Sequence, residues 1–138
     1  MAEKDCIFCK IANGEIPSAT IYENSDVRVI LDVAPASRGH ALIVPKEHFR
    51  DLFDIDAVTA GKIFSMATEV ARAMKIVLHC YGMNVVQNNG AAAGQTVFHF
   101  HLHLIPRYEG DGVNIGWNPG ESTTDELREL AKEIRKKI

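Results

Sequence analysis

The sequence predicts an α+β fold: an antiparallel sheet of about five strands carrying helices on one face, with one long helix and a second helix at the C-terminus. Short β-branched runs follow one another closely instead of alternating with helices. A single long segment after Asp54 spaces its apolar residues as a helix does. The run His99-Phe100-His101-Leu102-His103-Leu104-Ile105 alternates histidine with apolar residues, the two-residue period of a β-strand.

The elements follow in order. After an N-terminus holding Cys6 and Cys9, Thr20-Ile21-Tyr22 and Val27-Arg28-Val29-Ile30-Leu31 flank the turn-forming Asn24-Ser25-Asp26, a hairpin signal. A third run, Ala41-Leu42-Ile43-Val44, is stopped by Pro45. Asp54 or Asp56 caps a long helix with Val58, Ile63, Phe64, Ala67, Val70, Ala71 and Met74 at helical spacing. A strand from Met83 to Gln87 and a small-residue loop, Asn88 to Gly94, lead into the histidine run, whose Phe98, Phe100, Leu102 and Leu104 are expected to fill the core. Cys80 is also expected in the core. Thr123 or Thr124 with Asp125-Glu126 opens a last helix that places Leu127, Leu130, Ala131, Ile134 and Ile138 on one side. Between them, residues 110–121 read as a loop holding the only tryptophan, Trp117, which either packs or forms a rim contact with a ligand or second subunit.

At 138 residues, with 46% hydrophobic and 24% charged residues, the chain is expected to form one domain over residues 1–138. A net charge of -3 argues against nucleic acid as a partner, since phosphate backbones demand a basic surface. The basic cluster Arg135-Lys136-Lys137 suits a helix C-terminus. Met1-Ala2-Glu3-Lys4-Asp5 reads as leading straight into the fold without a signal peptide, and no run is long enough for a membrane span. A cytoplasmic location is expected, and the odd count of three cysteines fits a reducing compartment.

The histidine row admits three uses. One ion shared by all three is geometrically poor: on a strand His99 and His103 lie roughly 13 Å apart, against a zinc–nitrogen bond of about 2 Å. A purely structural face would need partners for every ring nitrogen. The favoured use is catalysis, in which one imidazole attacks while its neighbours position or polarise. Gly94-Gln95-Thr96 just upstream offers a close backbone approach for an anion, in a pattern unlike the standard phosphate-binding loops.

These residues resemble the histidine-triad (HIT) family, whose signature alternates three histidines with apolar positions. The resemblance extends to Leu31-Asp32, to residues 39–48 (Gly39-His40 through Glu47-His48), to Asn88-Asn89-Gly90 and to Gly94-Gln95-Thr96-Val97, and spans roughly Cys6 to Arg107. It implies hydrolysis of a purine nucleoside phosphoramidate or related nucleotidyl conjugate at the α-phosphorus, releasing the nucleoside monophosphate. His101 would be the nucleophile and would form a nucleotidyl-histidine intermediate. His99 would support it through its backbone carbonyl, His103 would bind phosphate oxygens, His40 would complete the set and Thr96 would contact the leaving group. Asn88, Gln95 and the Gly94 and Val97 amides would surround the phosphate, and Asp32 would hold the ribose. Protonated imidazoles are expected to supply the charge stabilisation, with no catalytic metal. The alternatives are a Fhit-like dinucleoside polyphosphate hydrolase, which Ile105-Pro106-Arg107 favours, or a nucleotide-binding adaptor with negligible turnover.

Cys6-Ile7-Phe8-Cys9 has metal-ligand spacing but too little chain before it for a thioredoxin-like strand. Buried thiols are the plain alternative. The resemblance implies structural zinc held by Cys6, Cys9, His48 and His99, and a homodimer binding AMP or GMP derivatives.

Overall fold

The computed structural model describes residues 3–138; Met1 and Ala2, the start of the expected leaderless opening, lie outside them. Five strands, β1 (Thr20–Glu23), β2 (Val27–Leu31), β3 (Ala41–Pro45), β4 (Gly82–Val86) and β5 (Leu102–Arg107), form one antiparallel sheet in the order β1-β2-β3-β5-β4. The hairpin forms as its turn residues require, with the Asn24 carboxamide oxygen accepting from the Asp26 and Val27 amides. Pro45 does not stop β3 but ends it, paired with Val27.

The long helix α2 (Ala57–Leu78) begins at Asp56, whose carboxylate accepts from the Thr59 amide at 2.9 Å. It turns off at His79, which adopts a left-handed conformation with φ 53°. Ile63, Ala67, Val70 and Met74 form its buried stripe and pack on Val27, Val29, Ala41, Ile43, Phe100, Leu102 and Leu104. Val58 and Phe64 fall off that stripe and are exposed.

A short helix, α1 (Ile7–Ala12), closes the opposite face, so helices do not lie on one side only. Its Ala12, with Phe8 and Ile11, packs on Ile30, Leu42 and Val44. The sheet is therefore a partition: α2 covers one face, and α1 and the histidines share the other.

The C-terminal helix α3 (Thr124–Arg135) starts at Thr123 with a reciprocal capping box to Glu126. Its apolar side stands in solvent, with Leu127, Leu130 and Ile134 each 55% exposed. Trp117 is 87% exposed, so packing within the chain does not account for it. Cys80 is buried as expected. Among the described residues no helix is long and apolar enough to cross a membrane.

Candidate active site and metal centre

The histidine run is only half strand. Ladder pairing in β5 begins at Leu102, opposite Ile43, so His103 sits in the sheet between Leu42 and Val86 while His99 and His101 precede it. The expected regular alternation breaks upstream because the Phe100 amide turns to the Phe49 carbonyl, at 2.6 Å, rather than to a neighbouring strand. Phe98 consequently leaves the core; it is 40% exposed, with the Arg50 guanidinium 5.1 Å above its ring.

Backbone partners fix which nitrogen of each ring carries the proton. A carbonyl can only accept and an amide N–H can only donate. His101 Nδ1 lies 2.7 Å from the His99 carbonyl, so it bears the proton and Nε2 keeps its lone pair. His99 Nε2 lies 2.8 Å from the Pro45 carbonyl, so the lone pair of His99 is on Nδ1. His40 Nδ1 accepts from the Ala36 amide at 2.9 Å, which puts the proton on Nε2, and that proton points at His103 Nδ1, 2.9 Å away. His103 is thereby left with its proton on Nε2. Four imidazoles thus divide into one with a free Nε2 lone pair (His101), one with a free Nε2 proton (His103), one that sets the second (His40) and one that turns its lone pair away (His99).

Burial holds these rings neutral. Desolvation lowers His101 and His40 below the usual histidine range and brings His103 and His99 to about 4. Charge stabilisation by protonated imidazoles, the expectation from sequence, would require these rings to gain a proton against that burial. Phe8 adds an edge-to-face contact on His101, with ring centroids 4.8 Å apart.

Positive φ at Gly39 (88°) lets the chain turn into His40, and a Cβ there would run into Leu78 Cδ1. Asp32 lies beside this pair, with one carboxylate oxygen 3.7 Å from His40 Nε2 and the other accepting from the Ala34 amide. Asn88 and Gly94 lie together, a Cβ on Gly94 coming within 3.8 Å of the Asn88 amide nitrogen. Thr96 and Val97 line an open cleft of about 350 Å³ shared with Cys6, Ile7 and His48. Gln95 is buried, and its carboxamide is spent on the backbone: it accepts from the Gly90 amide and donates to the Arg50 and Val97 carbonyls. Its geometry is that of a clamp on the loop.

On the far side of His99 a second cluster gathers. Cys6 Sγ, Cys9 Sγ, His48 Nδ1 and His99 Nδ1 all lie within 4.8 Å of one another. His99 Nδ1 is 3.4 Å from each sulfur, and His48 Nδ1 is 3.3 Å from Cys9 Sγ. A tetrahedral ion with sulfur and nitrogen ligands has ligand–ligand edges of roughly 3.3–3.8 Å. The tautomers also suit an ion: His99 presents its lone pair, and His48 turns Nε2 to the Glu3 carboxylate at 3.5 Å, the outer partner that ligating histidines usually have. These four residues are positioned to hold a metal ion. A further set, Asp32, His40 and His103, is also compact. There the Ala36 amide donates to His40 Nδ1, so a neutral His40 has no lone pair at Nε2 to offer an ion. That set is a His40–His103 hydrogen bond with the Asp32 carboxylate 3.7 Å away.

Sequence reasoning did not find Glu3, Phe8, the Ala36 amide or the Phe49 carbonyl in these roles. Only Phe8 left a signal, as the residue enclosed by the cysteine pair; the two backbone groups leave none.

An α+β domain presenting histidines in distinct tautomers on one face of an antiparallel sheet defines the class. The chain belongs to the HIT-domain family, whose model matches residues 13–110. It is 42% identical over 134 residues to the adenosine 5'-monophosphoramidase HNT1 of Saccharomyces cerevisiae, covering 96% of this chain and 82% of the relative. A crystal structure from Streptococcus mutans superposes with a TM-score of 0.95 at 40% identity, covering 99% of this chain and 87% of that one. A zinc-bound histidine triad family protein from Mycobacterium smegmatis matches with a TM-score of 0.76 at 37% identity, covering 97% and 98% of the two chains.

Proposed function

We propose that this protein hydrolyses a purine nucleoside phosphoramidate or a related nucleotidyl conjugate at its α-phosphorus. The observation that carries the reading is the 2.7 Å bond from His101 Nδ1 to the His99 carbonyl, which leaves a neutral, buried imidazole with its lone pair free at Nε2. That nitrogen attacks the phosphorus and the bond to the leaving amine breaks, the amine taking a proton from solvent at the open cleft as it departs. Water then attacks the same phosphorus, the phosphorus–imidazole bond breaks, and the nucleoside monophosphate leaves. His103 donates from Nε2 to a phosphate oxygen in both displacements, and His40 keeps its proton on that nitrogen. Thr96 faces the leaving group, Asp32 takes the ribose hydroxyls, and Asn88 with the Gly94 and Val97 amides surrounds the phosphate. Gln95 serves that phosphate indirectly, by holding the loop.

The relative named as a phosphoramidase supports this branch over a dinucleoside polyphosphate hydrolase. So does Arg107, the residue that looked Fhit-like: its guanidinium is spent on Asp111, the Asn84 carboxamide and the Val113 carbonyl.

Cys6, Cys9, His48 and His99 hold zinc in a closed Cys₂His₂ site that ties the N-terminus to the histidine segment. A homodimer joined through its sheets fits the edge strand β4, whose Val85 is half exposed. A single-turnover comparison of adenosine phosphoramidate with a diadenosine polyphosphate tests the function, with intact mass reporting adenylated His101. Faster cleavage of the phosphoramidate is expected; adduct on another residue, or none under conditions that trap it, refutes the mechanism.

A further inference from the structure

The proposed nucleophile stands outside the sheet. Pairing of β5 with β3 and β4 is in place only from Leu102 onward, so the peptides of His99, Phe100 and His101 lack the ladder that would hold a strand residue. One backbone bond, from the Phe100 amide to the Phe49 carbonyl, fixes this stretch. Much of the remaining restraint passes through the side chain of His99, which is fully buried. Its Nε2 is tied to Pro45, its Nδ1 faces Cys6 and Cys9, and its ring lies edge-to-face on His48 with centroids 5.0 Å apart.

We infer that His99 couples the metal centre to the nucleophile: an ion held by Cys6, Cys9, His48 and His99 fixes the peptide whose carbonyl holds the His101 Nδ1 proton. His99 is then a positioning residue working from both ends, side chain to ion and carbonyl to His101. The inference rests on the metal and nucleophile readings above. The ion draws on three separate segments: α1, the stretch after β3, and the segment leading into β5. Helix α1 transmits the constraint a second time, since Phe8, enclosed by the two cysteines, makes a T-shaped contact with the His101 ring. Without the ion, His99 Nδ1 keeps only its contacts to the two sulfurs, weak hydrogen bonds that restrain the ring and its peptide less than coordination would. A shift of a fraction of an ångström in that carbonyl is enough to loosen the His101 tautomer and misdirect its lone pair.

The test uses the full chain with ¹⁵N-labelled histidine, loaded with zinc, loaded with ¹¹³Cd, and stripped by chelator. In the zinc form His101 is expected to show a single tautomer with a slowly exchanging Nδ1–H. Stripping should speed that exchange by about tenfold or more. The larger cadmium ion should move the His101 Nδ1 resonance while leaving that of His40 in place. The ¹¹³Cd shift reports independently whether two sulfurs and two nitrogens bind the ion. Two-sulfur, two-nitrogen coordination with an unresponsive His101 overturns the coupling and spares the metal site. Failure to bind one ion per chain overturns both. If the stripped chain unfolds, the zinc and cadmium forms, both folded, decide the matter between them.

Discussion

His101 and His103 are two residues apart, yet they carry their ring protons on opposite nitrogens. The cause is local: a carbonyl faces Nδ1 of His101, whereas the Nδ1 of His103 faces an N–H that the Ala36 amide has forced to the near side of His40. One ring can attack and the other can donate, without any charge being buried. His101→Ala should therefore reduce turnover by at least about 10³-fold while binding of a non-hydrolysable nucleotide analogue, followed by calorimetry, changes little. Turnover within tenfold of wild type would sink the nucleophile assignment. Glu3 stands at the same scale beside the candidate metal ligands. Its carboxylate lies 3.5 Å from His48 Nε2, and its amide donates to Cys9 Sγ at 3.2 Å. Removing the charge in Glu3→Gln should weaken zinc affinity by about 10- to 100-fold in competition with an indicator chelator, with the helix content of the protein unchanged. Equal affinity in the two proteins would make the Glu3 contact incidental.

At the scale of elements, α2 and the loop from Asn88 to Val97 show what holds the site in place. Ile63 is fully buried on the α2 stripe against the sheet that carries His103, so Ile63→Ala should cost about 2–5 kcal/mol in urea unfolding through lost burial and an unfilled cavity. Val58→Ala, one turn earlier but exposed, should cost well under 1 kcal/mol. Comparable losses at the two positions would mean that the buried stripe is misassigned. The same contrast shows how far sequence could be read. Spacing identified the helix and its cap region, and Ile63, Ala67, Val70 and Met74 were legible as core; Val58 and Phe64 were not separable from them, because an apolar residue beside the stripe looks like one within it. The histidine strand was legible as chemistry from its alternation alone, and its family pattern supplied the candidates. Its true start was not, because the break at Phe100 depends on a carbonyl about fifty residues away in sequence. Gln95 was legible as important but not as inward-facing, since a carboxamide serves a phosphate or a backbone equally well. Trp117 was legible as a residue that either packs or forms a rim contact, and the apolar residues of α3 as sharing one side; within this chain both stand exposed.

For the whole molecule, the sheet separates two kinds of burial. On the α2 face burial is apolar and stabilises the fold; on the α1 face it falls on imidazoles as well as on a small apolar cluster, and the imidazoles make stability depend on pH. His103 is brought to about 4 by desolvation, then by its imidazole neighbours, and His40 is shifted the same way by desolvation against the pull of Asp32. In the unfolded chain both return to about 6.5. As pH falls below about 6.5 the unfolded state takes up protons that the native state refuses, so the slope of stability with pH is positive and stability is lost on acidification. The His103 contribution is lost progressively down to about 4, where the native ring also protonates. Carboxylates titrate mainly below about pH 5 in the unfolded chain, so in the window from 6.5 to 5 the slope comes from the histidines and from the zinc ligands that take up protons when the ion is released, and His103→Asn isolates the His103 share. Urea midpoints for the zinc-loaded protein should fall steadily across that window, and His103→Asn should flatten the fall. The acid limb of kcat/KM should lie below 6.5 for the related reason that His101, also lowered by burial, stays neutral and nucleophilic there. A stability profile flat from pH 7 to 5, or one whose slope is the same in His103→Asn, would show that these rings are not held neutral by the fold, and the division of labour between His101 and His103 would lose its physical basis.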